Sequence, residues 1–146
     1  MCLSKIEKFK PNKVGYKIVF DNEDYYKTYV TYDTISKKKW NQSIPQPIIL
    51  HTPRGVQTYK TGYHLYNSFY DALNSSWLSS SDIETRYNNV KIIQVKYKGD
   101  ITIGYGDGTP YGGNIKQIVA PLIKVIKEMK IPKKYYNRKS KLFIKF

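Results

Sequence analysis

Two histidines, one cysteine and a few scattered carboxylates are the residues in this chain whose chemistry could make or break a bond. His64 lies inside Gly62-Tyr63-His64-Leu65-Tyr66, and His51 near the end of Pro47-Ile48-Ile49-Leu50-His51-Thr52. Imidazoles brought together on one sheet could serve as acid and base or hold a metal, but no carboxylate or cysteine stands beside either at ligand spacing. Both read as packing or hydrogen-bonding histidines, with His64, Tyr66 and Tyr16 as the residues that would line a pocket. Cys2 has no organised base near it in sequence, and a thiol without one is a weak nucleophile. Asp100 and Asp107 are isolated acids of the kind that shape turns. Gly104 to Asn114, GYGDGTPYGGN, could cradle phosphate through its backbone N–H groups, but it lacks a Gly-Lys-Ser/Thr ending and reads as a connector. No catalytic residue, metal ligand or cofactor is expected.

Charge is the stronger signal. The chain of 146 residues carries a formal net charge of +14, which favours a polyanionic partner: nucleic acid, an acidic protein or an anionic surface. Arginine occurs only at positions 54, 86 and 138, so the surplus is almost all lysine; Lys, Asn, Ile and Tyr are also the residues that AT-rich codons favour. Lysines alternate with rings in Tyr25-Tyr26-Lys27-Thr28-Tyr29, Tyr59-Lys60-Thr61-Gly62-Tyr63 and Lys96-Tyr97-Lys98. The densest run is near the C-terminus, where Lys133, Lys134, Tyr135, Tyr136, Arg138, Lys139 and Lys141 follow one another. Rings stack on unpaired bases while ammonium groups neutralise phosphate, so these seven residues are the expected nucleic-acid contact.

The elements that must position these residues follow from periodicity. Tyr16, Ile18 and Phe20 alternate on one face of a strand, Asp21 to Asp24 turn, and Tyr25 to Tyr32 return as a hairpin. Residues 35–47 read as a loop. Two short strands flank Pro53-Arg54-Gly55, and the Gly62 to Tyr66 strand runs into a helix over about 68–78, capped by Ser68, with Phe69, Ala72, Leu73, Ser76 and Trp77 on its apolar face. Ser79 to Asn89 is polar loop. Val90 to Lys98 is the best strand, with Ile93, Val95 and Tyr97 sharing a face. Between 115 and 129 the apolar spacing also fits a helix, but Pro121 at its centre would cost roughly 3 kcal/mol, so two strand segments broken at Pro121 are preferred.

Met1-Cys2-Leu3-Ser4, the Gly15 to Val19 strand, the Gly62 to Tyr66 segment entering an Asp71-Ala72 helix, the Val90 to Gly99 strand and Val119-Ala120…Ile123-Lys124-Val125-Ile126 resemble a loose group of small phage and giant-virus proteins. That resemblance implies a viral setting, supports strand for 118–127, and implies no mechanism. The strand order is also faintly similar to small ADP-ribosyltransferase folds, which use a polar or basic residue on the first strand and a late glutamate. Here the first strand offers Tyr16 and Lys17, and the late strand has no glutamate before Glu128.

The expectation is a single α+β domain with a mostly antiparallel sheet and one principal helix: a basic arm over 1–13, the domain over 14–127 and a basic tail over 128–146. No run is long and apolar enough to span a bilayer, the N-terminus lacks a secretory h-region, and a single cysteine allows no internal disulfide. An intracellular protein, in host cytoplasm or virion and without a membrane partner, is expected. Its leading function is non-enzymatic binding of RNA or DNA through Lys/Tyr-rich surface and tail. The alternatives are a host-interaction or defence-inhibitor protein docking on an acidic protein surface, and a degenerate ADP-ribosyltransferase-like enzyme.

Overall fold

Val90–Lys98 buries apolar side chains on both faces within its first six residues, Val90 and Ile92 on one and Ile93 and Val95 on the other, and becomes lysine-rich at its end; it forms β9, the central strand. A computed structural model describes residues 3, 5–6, 8–28, 33–44, 46–52, 55–75, 90–106 and 115–132. One edge of β9 pairs antiparallel with β2 (Val14–Asn22), from Val14 opposite Lys96 to Phe20 opposite Val90. The other edge pairs antiparallel with β12 (Leu122–Met129). The sheet continues outward from β2 through β8 (Tyr63–Tyr66), β11 (Ile115–Ala120), β10 (Thr102–Gly106) and β1 (Lys5–Ile6). Beyond β12 it ends at β5 (Asn41–Gln42). Residues 115–129 are strand on both sides of Pro121, which sits at the break between β11 and β12.

The two faces of this sheet are covered differently. On the front, Ile18, Tyr66, Val90 and Ile92 are buried beneath Ala72 and Leu73 of α1 (Phe69–Leu73), with Tyr16, Phe20 and Met129 at the rim. Farther out, the hairpin of β6 (Pro47–Thr52) and β7 (Gly55–Lys60), a sheet of its own, brings Tyr59 and Ile48 against Leu3 and Val119. The Tyr59 hydroxyl accepts the backbone N–H of Leu3 at 3.0 Å. On the back, β3 (Tyr25–Lys27) and β4 (Thr34–Ser36) place Tyr26 and Ile35 over Val19, Leu65, Ile93, Val95, Ile118 and Ile123. The Tyr26 hydroxyl donates to Glu128 Oε1 at 2.6 Å, so this hairpin spans the back of β9 from β2 to β12.

β8 and β3 share one edge of β2. β8 meets it only at Tyr16 opposite Tyr66, and β3 from Phe20 onward, so Lys17 to Val19 have no strand partner on that side among the described residues. The sheet forks there. Lys17 reaches into the fork, and its ammonium donates to the His64 carbonyl at 3.1 Å, a group that a continuous β2–β8 ladder would have bonded to backbone. Gly15 permits the close approach below the fork, because a Cβ there would stand 2.8 Å from Leu65 Cβ.

The described residues are therefore nearly all-β, a mostly antiparallel sheet with one short helix. Four expectations change. The helix ends at Leu73 rather than near 78, and Ser76 and Trp77 lie outside the described residues. The segment 35–47 contains β4, β5 and the start of β6, joined by turns rather than forming one loop. The glycine loop opens as strand through Gly106, with 107–114 outside the described residues. The N-terminal arm is docked: Leu3 is buried and Lys5–Ile6 pair with β10. No helix among the described residues is long and apolar enough to cross a membrane.

Candidate functional site

Tyr16, Tyr66 and His64 do come together on the front of the sheet. Tyr66 lies opposite Tyr16 on β2 and opposite Gln117 on β11, and His64 lies diagonally across from Gln117, opposite Val119. Tyr16 accepts a hydrogen bond from Gln94 Nε2 at 3.0 Å and leans on the Phe69 ring of α1. His64 and Gln117 are both buried. Burial first, and the Lys17 ammonium second, pull the His64 pKa down to about 3. The Gln117 amide opposes this shift weakly from nearby, but the contact falls outside hydrogen-bond geometry. Nδ1 of His64 and both amide atoms of Gln117 are therefore buried without a partner among the described residues.

This constellation is poorly suited to proton transfer. A general acid or base works best with a pKa near the working pH, and His64 stays neutral far below it. Burial similarly draws the Lys17 ammonium down to about 8, against the field of Asp33, but its proton is engaged by a carbonyl. His51 stands exposed on the separate β6–β7 sheet, so the two histidines do not share a sheet. No group of three or more His, Cys, Asp or Glu side chains that could hold a metal occurs among the described residues.

A second constellation is built entirely of surface groups. Strand alternation puts Lys96 and Lys98 of β9 on the front face, in line with Gln94 and Ile92. On β12, Lys124 is directly opposite Lys96, and a bulge at Ile126 leaves Lys127 opposite Gln94, on the same face. Leu122 lies between Lys98 and Gln42 of β5 in one cross-strand row. The front of β9 and β12 thus changes along its length from apolar residues under α1 to four lysines over which no described element packs. Lys96, Lys98 and Lys127 are exposed and Lys124 half-buried, and none of the four forms an ion pair among the described residues. Of the carboxylates around it, Glu128 is engaged by Tyr26 on the back, and Asp100, in the turn after Lys98, forms no ion pair with the quartet among the described residues. Like charges directly opposite each other destabilise a sheet, so the Lys96–Lys124 pair costs the fold free energy.

Trp40 borders this patch, 39% exposed, with the Lys98 ammonium 4.1 Å from its ring centroid. Its position is fixed by the residue that follows it. Asn41 Oδ1 accepts the N–H of Ser36 at 2.7 Å, while its Nδ2 donates to the carbonyls of Ser36 and Lys39, each at 3.1 Å, and at 3.5 Å to that of Ile123 on β12. Ser36 Oγ accepts the N–H groups of Lys38 and Lys39 at 3.3 and 3.2 Å. One buried amide thus closes the turn and pins it to β12, leaving Lys38, Lys39 and Trp40 exposed beside the lysine face.

The nucleic-acid contact expected at 133–141 lies outside the described residues. Sequence reasoning noted Lys96-Tyr97-Lys98 but missed its union with Lys124, Lys127 and Trp40. Lys-x-Lys within a strand is a visible signal, whereas the cross-strand pairing that doubles it depends on register. No family model matches the chain, and neither a curated protein nor a solved structure matches it.

Proposed function

We propose that this is a non-enzymatic basic protein that binds nucleic acid through the front of β9 and β12, with the lysine-rich segment 133–141 as an additional electrostatic contact. The observation that carries the reading is the quartet Lys96, Lys98, Lys124 and Lys127, without an ion pair among the described residues, in which Lys96 and Lys124 stand directly opposite on adjacent strands. A polyanion laid across the patch relieves the repulsion of that pair and releases its own counterions. With alternate residues ~6.6 Å apart along a strand, the four amines form a two-row array that a phosphate backbone can follow.

The test is fluorescence anisotropy with labelled oligonucleotides over a range of salt. Each phosphate contact contributes roughly 0.7 to the slope of log K against log salt for single strands and roughly 0.9 for duplex. The variant K96A/K98A/K124A/K127A should lose about three units of slope, and the variant K133A/K134A/R138A/K139A a further part. If wild type binds no oligonucleotide but binds an acidic polypeptide such as polyglutamate, a protein partner replaces nucleic acid as the ligand.

A further inference from the structure

We infer that the nucleic acid taken by this face is single-stranded and that Trp40 is its base-stacking platform. This rests on the reading above and adds the strandedness of the ligand. A duplex hides its base faces, and a protein that reads its grooves usually inserts a helix or a two-stranded ribbon. Among the described residues the lysine face has neither: it is a stretch of β9 and β12 towards one side of the sheet, and α1, five residues long, is packed over the apolar end. The β6–β7 ribbon lies at the far side, against Leu3 and Val119.

What the face offers beside its cations is an aromatic ring. Among the described residues Trp40 is an exposed aromatic ring beside the quartet, and the Asn41 hydrogen bonds hold its backbone in place before any ligand arrives. Lys98 lies over the ring, while Lys38 and Lys39 extend from the same turn. A base stacked on the indole would therefore have its flanking phosphates within reach of ammonium groups on two sides. This is the pairing of platform and cationic groove that single-strand binders use.

The experiment compares wild type, W40A and W40F on an oligothymidylate and on a hairpin duplex of matched length, with thermal melts to establish that each variant is folded. Wild type should prefer the single strand. W40A should lose about 5- to 150-fold on the single strand, the value of one stacked base, and little on the duplex; W40F should keep most of the affinity. Equal losses on both ligands, or none on either, would overturn the stacking assignment while leaving the lysine face standing. If wild type binds neither ligand, the reading of the face fails and this inference fails with it.

Discussion

Replacing Lys124 with glutamate should make this protein more stable and a worse binder at the same time. Lys124 and Lys96 are directly opposite on antiparallel strands, where Cβ atoms stand about 4.5–5.5 Å apart and a charged pair is worth roughly 0.2–1 kcal/mol, with the sign set by the charges. Converting repulsion into attraction counts that quantity twice, giving a gain of roughly 0.4–2 kcal/mol at low ionic strength. For a chain of this length, each kcal/mol moves the midpoint of thermal unfolding by about 2–4 °C. The gain should shrink towards zero near 1 M salt, where the screening length is about 3 Å. Binding should move the other way, since a cation is lost and an anion placed in the array; the salt slope should fall by at least ~0.7. Differential scanning fluorimetry and anisotropy on the same preparations measure both. A lower melting temperature at low salt would show that the two lysines do not oppose each other, and an unchanged salt slope would show that Lys124 faces no phosphate.

Other perturbations probe the supports of the face and the buried polar groups. Asn41→Ala removes the amide that closes the Ser36–Lys39 turn and should cost about 2–3 kcal/mol in urea unfolding, as well as weakening single-strand binding by freeing Trp40. His64 has a folded pKa of about 3 against an ordinary 6.5, so the unfolded chain binds the extra proton between those values and stability falls with pH across that window. Between pH 6.5 and 5 the loss from this group is about 2 kcal/mol, and His64→Gln should remove that part of the pH dependence; an unchanged pH profile in the variant would contradict it. Gly62→Ala would set a Cβ 2.6 Å from the Ala120 carbonyl oxygen, with backbone that has little room to retreat, and should destabilise the β8–β11 pairing by at least 1 kcal/mol in the same unfolding assay.

How much of this could be anticipated varies element by element. The alternation in Val14–Asn22 and Val90–Lys98 marks both strands and the faces they share, because sheet burial imposes a period of two. Pro121 forces the right choice for 115–129, since a ring that lacks an N–H cannot sit inside a helix at small cost. Helical spacing carried on to Trp77, yet the helix stops after five residues. The cause is local: the N–H and Oγ of Ser75 both bond to the Ala72 carbonyl, at 3.3 and 2.8 Å, occupying the acceptor that residue 76 would need in a further helical turn. β4 and β5, three and two residues long, have no periodicity to detect and owe their existence to Ile35 under the back of the sheet and to the open edge of β12. The lysine face was half-visible. Lys96 and Lys98 alternate in plain sequence, but nothing before the fold shows that Lys124 would lie opposite one of them or that Asn41 would hold Trp40 alongside.

The most direct measurement is an amide and indole NMR titration of the full chain with an oligothymidylate. The account predicts chemical-shift changes in Gln94–Lys98, Leu122–Lys127 and Lys38–Gln42, including the Trp40 indole N–H, with α1 and the β6–β7 hairpin unmoved. Changes confined to the hairpin or to residues 133–146, with β9 and β12 silent, would contradict it.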